Sequence, residues 1–155
     1  MASIRKLKEV TREELIQRAV DMRPMIAAKA AENEQNRRIS QDIVDEVRAR
    51  DFFRMLQPKK FGGLEFDGET TVRCVIEWAS ADTSTGWVCA LGVVHQWLIA
   101  QFPLATQEEV WGEDPGAIAC GSYAPAGNTV AVDGGYRVTG EFSFASGVDI
   151  SDWAL

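Results

Sequence analysis

Few side chains in this 155-residue sequence can do chemistry, and one stands apart: His95 is its single imidazole. Near neutral pH an imidazole can hold, give or take a proton. It lies in the apolar run TGWVCALGVVHQWLIAQF, where the plainer reading is a buried histidine hydrogen-bonded to a backbone carbonyl. Trp87 stands eight residues earlier, about two helical turns, so the two side chains can share one helix face. A large aromatic on such a helix is ordinarily core. The second group is Ser146 in GEFSFASG, a hydroxyl able both to donate and to accept; its plainer reading is a small residue needed for packing beside Gly147. Cys74, Cys89 and Cys120 are odd in number, widely spaced and without a CxxC pair, so neither a metal site nor a redox dithiol is supported. Cys74 and Cys89 sit in apolar segments as small hydrophobes. The sequence holds no GxGxxG, P-loop, GxSxG or HExxH pattern, and no residue cluster identifies a reaction by itself.

The elements that position these groups belong to an ordinary globular chain, 46% hydrophobic and 25% charged, long enough for one domain with a sizeable core. Sixteen Lys and Arg against 23 Asp and Glu leave a net charge of −7, which disfavours a nucleic-acid partner. Arg5, Lys6 and Lys8 are soon followed by Glu9, Glu13 and Glu14, a solvated helix start and not a nucleic-acid arm. No apolar run approaches the roughly 18 residues of a membrane span, and the N-terminus lacks a signal-peptide core, so the expected location is cytoplasmic, off the membrane.

The first half reads helical. Thr11 with Glu14 three residues on makes a capping-box pattern, and Leu15, Ala19 and Met22 follow on one face. Pro24 is expected to kink this helix or mark its boundary. A second helix is predicted from Ser40 through SQDIVDEVRARDFFRML, with an apolar stripe of Ile43, Val44, Val47 and Phe52. LQPKKFGGLEFDGET is a loop, and GETTVRCVIEWASAD returns to helical spacing through Val72, Val75, Ile76 and Ala79. The run from Thr85 to Phe102 is apolar nearly all round and predicts a central buried helix ended by Pro103; TQEEVWG predicts a short one.

After Pro115 the texture changes to Gly, Thr, Val and aromatics, with Val130 and Val132 leading through Asp133-Gly134-Gly135 to Tyr136 and Val138 as a hairpin. Helices first and strands after is an α+β order, and the expectation is that everything beyond Pro115, GEFSFASG included, is antiparallel strand. So few strands cannot close a sheet, and SDWAL is apolar with no polar tail; the chain is expected to be the N-terminal piece of a longer protein.

This order of features resembles the acyl-CoA dehydrogenase superfamily, through PKKFGGLEFD, the helix with WVCALGVVH, GSYAPAGN, and GGYRVTGEFSFASG. Within it the sequence is most similar to the flavin-dependent aromatic monooxygenases, oxygenase components of two-component systems. Those proteins carry a W…H helix and a strand ending F-x-S-G, as Trp87…His95 and Phe144-Ala-Ser-Gly147 do here. The resemblance covers nearly all of this chain but only about the first two-fifths of a family subunit. It implies a helical domain over residues 1–115 and, over 116–155, the opening strands of an antiparallel β-barrel that continues beyond Leu155. It also implies reduced flavin (FMNH2 or FADH2), O2, a phenolic or polycyclic aromatic substrate, a flavin reductase as electron source, and a homotetramer at full length.

Residue by residue, the resemblance sets Ser146 near flavin N5, where it would help hold a C4a-hydroperoxide. His95 would face the substrate and polarise or deprotonate its phenolic oxygen, with Ser122 a second partner for that oxygen and Trp87 lining the pocket. Ser122, Tyr123, Gly127 and Phe144 fall in the two barrel segments that meet the isoalloxazine. The sequence departs from the dehydrogenase pattern, usually a Thr-Glu pair and a later Gly-Ser-Asp: it reads Ser122-Tyr123 and Gly127-Asn128-Thr129. Two missing acids weigh against the alternative, an acyl-CoA dehydrogenase that desaturates a thioester with FAD. A third reading is a non-catalytic fragment of either.

Overall fold

Thr11 and Glu14 cap each other at the start of the first helix: the Thr11 hydroxyl accepts from the Glu14 amide at 3.1 Å, and the Glu14 carboxylate accepts from the Thr11 amide at 3.0 Å. The computed structural model describes residues 10–124 and 126–155, so the basic run at Arg5, Lys6 and Lys8 lies outside the described residues. Helix α1, Arg12–Asn36, buries Leu15, Ala19, Met22 and Ile26 at the expected spacing. It runs unbroken through Pro24, which neither ends it nor marks its boundary. Pro24 is exposed, on the side where water can take up the carbonyl that its missing N–H leaves free.

Helix α2, Gln41–Ala49, is shorter than the sequence predicts. Asp51 turns into the left-handed region at φ 65° and the chain continues as a 3-10 turn, Phe52–Arg54. The apolar stripe nevertheless holds: Ile43, Val44, Val47 and Phe52 are all buried. A further 3-10 turn, Lys59–Phe61, interrupts the expected loop.

Helices α3, Gly68–Ala81, and α4, Thr83–Ile99, open in the same way. Asp67 accepts from the Thr70 amide and hydroxyl, and Asp82 from those of Thr85, two D-x-x-T caps that the sequence reading passed over. The predicted core stripe of α3 is wrong by a rotation: Val72 and Ile76 are 58% and 57% exposed, and Thr70, Thr71, Cys74 and Trp78 face inward instead. Trp78 decides this. Its ring is fully buried edge-on against Phe52, centroids 4.8 Å apart, a pairing worth about 0.5–1.5 kcal/mol beyond the area it buries.

α3 and α4 cross in close contact at Gly86, where a Cβ would stand 2.6 Å from that of Ala79. α4 is not buried all round as expected: Gly86, Cys89, Gly92, Val93, His95 and Gln96 face the core, while Trp87, Val94 and Trp97 are exposed. Helix α5, Leu104–Trp111, packs through Trp111, whose indole donates to Gln96 at 3.0 Å.

Strands begin at β1, Ala119–Cys120, which pairs with β4, Trp153–Ala154. That pairing is parallel and corrects the expectation of purely antiparallel strand: the chain between the two makes a crossover that returns it in its original direction. β2, Gly127–Val132, and β3, Gly135–Gly140, form the predicted antiparallel hairpin, with Gly134 at φ 78° in its turn. GEFSFASG is not a strand. Pairing stops at Gly140, Phe142 folds its ring over the Gly127–Gly140 pair, Phe144 adopts φ 59°, and a 3-10 turn, Val148–Ile150, follows.

Candidate functional site

His95 is 1% exposed on the core face of α4, and its two nitrogens differ. Nδ1–H donates to the Ala119 carbonyl of β1 at 2.8 Å. A carbonyl can only accept, so that bond places a proton on Nδ1 and, in the neutral ring, leaves a lone pair on Nε2. Among the described residues Nε2 is buried without a hydrogen-bond partner. The plain reading of a histidine tied to a backbone carbonyl therefore holds for one nitrogen and leaves the other unaccounted for. Burying an acceptor unpaired costs about 1–3 kcal/mol, a cost that a ligand O–H or N–H would offset.

The segment leaving β1 passes along the Nε2 edge. A Cβ on Gly121 would lie 3.3 Å from His95 Nε2, so a side chain there would crowd the imidazole. The Tyr123 ring lies 6.1 Å from the imidazole, tilted and open to solvent. The Ser122 hydroxyl donates to the Ser143 carbonyl at 2.7 Å, which ties this segment to the turn that carries Phe144 and Ser146.

Trp87 and His95 do not share a face of α4. Eight residues advance the helix by about 80° beyond two full turns, and that rotation carries Trp87 outward. Trp87 is 62% exposed, and its indole N–H donates to Ser146 Oγ at 3.2 Å. Ser146 is half-buried, and Phe144 is 90% exposed. Gly127 belongs to the hairpin, where its neighbours are Phe142 and Val138. The structure thus groups His95 with Gly121, Ser122 and Tyr123, joins Ser146 to Trp87, and links the two groups through Ser122 and Ser143.

Arg48 of α2 anchors both approaches to this region. Its guanidinium donates to the Gly116 carbonyl at 3.1 Å and the Ile150 carbonyl at 3.0 Å, and it pairs with Asp152, which also accepts from the Ile118 amide. The sequence reading missed Arg48 and the Ala119 carbonyl. An arginine on an amphipathic helix carries no mark of its distant partners, and every residue has a carbonyl. Two of the thiols do not contribute: burial pushes Cys74 and Cys89 up to about 12, so both stay protonated and unreactive.

A helical layer thus feeds short strands past one buried imidazole and a half-buried hydroxyl. A profile described as the acyl-CoA dehydrogenase, N-terminal domain matches residues 10–114, and the chain belongs to that family. It is 38% identical over 141 residues to the "FADH(2)-dependent resorcinol hydroxylase, oxygenase component" of Rhizobium sp. (strain MTP-10005), an alignment covering 91% of this chain and 34% of that protein. The solved HsaA monooxygenase from M. tuberculosis superposes with a TM-score of 0.89 at 37% identity, over 94% of this chain and 40% of the other. XiaF from Streptomyces sp., solved in complex with FADH2 and glycerol, superposes at 0.86 with 34% identity, over 92% and 36%. The chain spans about a third of the length of the relatives it matches.

Proposed function

We propose that this chain is the N-terminal part of the oxygenase component of a two-component monooxygenase that hydroxylates a phenolic or polycyclic aromatic compound. The observation that carries this is the His95 imidazole, its proton held at Nδ1 by Ala119 and its Nε2 lone pair buried and unpartnered. A phenolic O–H is the complement of that atom. Donating to Nε2, it moves its proton toward the imidazole and raises electron density on the ring. The Ser122 hydroxyl donates to the Ser143 carbonyl; as a second partner for the phenolic oxygen, whose one proton goes to Nε2, it turns its own proton from Ser143 toward that oxygen.

Reduced flavin, when bound, supplies the activation of O2 and the oxygen atom transferred; a separate reductase supplies its electrons. The residues present fit such a group. Ser146 Oγ, with Trp87 on one lone pair, keeps a donor and an acceptor for a ring nitrogen, and the exposed Phe144 and Tyr123 offer apolar surface beside it. The FADH2 in the names of two of the relatives favours FADH2 over FMNH2. Residues 1–115 then belong to the helical domain and 116–155 open a β-barrel, mixed in strand direction at its start, that the remaining length of a family subunit completes, in a cytoplasmic homo-oligomer.

The test is product formation by a subunit of family length carrying this segment, given reductase-supplied FADH2, O2 and a panel of phenols paired with their methyl ethers. Hydroxylation of the phenols with the ethers at least about tenfold slower supports the reading. Equal rates for both, or thioester desaturation in place of hydroxylation, would sink it.

A further inference from the structure

Resting on the flavin-dependent reading of this same site, we propose that Trp87 is a positioning residue that sets the direction of the Ser146 hydroxyl, and not a wall of the substrate pocket. An indole N–H can only donate. Its bond to Ser146 Oγ at 3.2 Å therefore occupies one of two lone pairs on that oxygen and turns the hydroxyl proton away from α4. A free serine rotor has three staggered positions, and this contact disfavours the one that points at the indole. What remains to Ser146 is one donor and one lone pair, both directed off the helix.

That pair suits a flavin N5 in each of its states. Oxidised N5 bears a lone pair and needs a donor; reduced N5 bears a hydrogen and needs an acceptor. A hydroxyl whose third direction is already taken serves both by a small rotation, and accepting from the indole strengthens it as a donor. The surroundings fit an oriented group. Gly147 follows at φ 86°, where a side chain would be strained, and the Ser151 hydroxyl donates to the Gly147 carbonyl at 2.8 Å, which braces the turn. Trp87 faces outward, away from the His95 imidazole, so it is poorly placed to line the substrate pocket with it.

The experiment has two arms. In a subunit of family length carrying this segment, 15N–1H spectra resolve the indole N–H signals, and Trp87 is assigned by its loss in Trp87→Phe. Ser146→Ala should move the Trp87 signal alone, and Ser146→Thr, which keeps the hydroxyl, should restore it. In a subunit of family length loaded with 15N5-labelled FAD, Trp87→Phe should displace the bound N5 resonance in the direction that Ser146→Ala does, and the double variant should go no further than Ser146→Ala alone. An N5 resonance in Trp87→Phe identical to the parent overturns the positioning role while leaving the flavin reading intact. An indole signal indifferent to Ser146→Ala overturns the contact itself. Failure of the parent to bind FAD or FMN in either redox state sinks the flavin reading, and the inference falls with it; the indole arm reports separately whether the contact was real.

Discussion

At the scale of single residues, the two nitrogens of His95 differ in their surroundings, one bonded to Ala119 and the other unpartnered among the described residues, and the proposed role of the second can be tested. An asparagine amide nitrogen reaches roughly where Nδ1 sits, so His95→Asn can keep the bond to Ala119 while removing Nε2. The expected outcome, with a phenolic substrate in a subunit of family length, is a turnover loss on the order of 10²-fold or more, the usual weight of a positioned base. Thermal unfolding should shift by only the few degrees that about 1 kcal/mol produces. A large loss of stability with unchanged kinetics would return His95 to the core.

Among the helices, the caps do quiet work that pH can expose. The Asp82 carboxylate opens α4, the helix that carries both Trp87 and His95. Partial burial pushes its pKa up, but hydrogen bonds from the Thr85 hydroxyl and amide, Asn33 and Ser84 outweigh this and hold it below the ordinary range. With a folded pKa depressed below the unfolded value, its contribution is present above about pH 4 and is lost as pH falls through the folded value. Asp82→Ala should therefore cost about 1 kcal/mol at pH 7, and the gap should shrink at pH 3. Urea unfolding of both proteins at the two pH values checks this; a gap independent of pH would show that the charge is immaterial.

For the molecule as a whole, the exposed apolar groups are the telling feature. Trp87, Val94 and Trp97 along α4, Tyr123, Phe144 and the hairpin valines are open to solvent, and every residue of β2 and β3 is exposed. Large apolar side chains exposed in such number favour association. A planar cofactor also needs a wall on each side. This chain by itself should bind a hydrophobic dye strongly, self-associate on sizing columns, and hold FAD at least about 100-fold more weakly than a subunit of family length, a difference of about 2.7 kcal/mol. Tight FAD binding by a monomer of this chain in a fluorescence titration would contradict that expectation.

Much was legible without coordinates. The capping box at Thr11, the stripes of α1 and α2, the hairpin around Gly134 and the shift from helix to strand near Pro115 all follow from local periodicity and turn chemistry. The lone imidazole was visible as a candidate because only one exists. Other features depended on partners distant in sequence. Which face of α3 turns inward was set by Trp78 meeting Phe52, where a count of apolar residues favoured Val72 and Ile76. The parallel pairing of Ala119 with Trp153 joins residues far apart along the chain, and no periodicity records it. The end of the strand at Gly140 depends on Phe142 folding back across two glycines. The chemical sense of His95 needed β1 beside α4, since a hydrogen bond to Ala119 fixes the tautomer and burial strands Nε2. Composition and spacing choose the elements because those forces act within a few residues; register, facing and protonation are decided by contacts that exist only once the chain has folded.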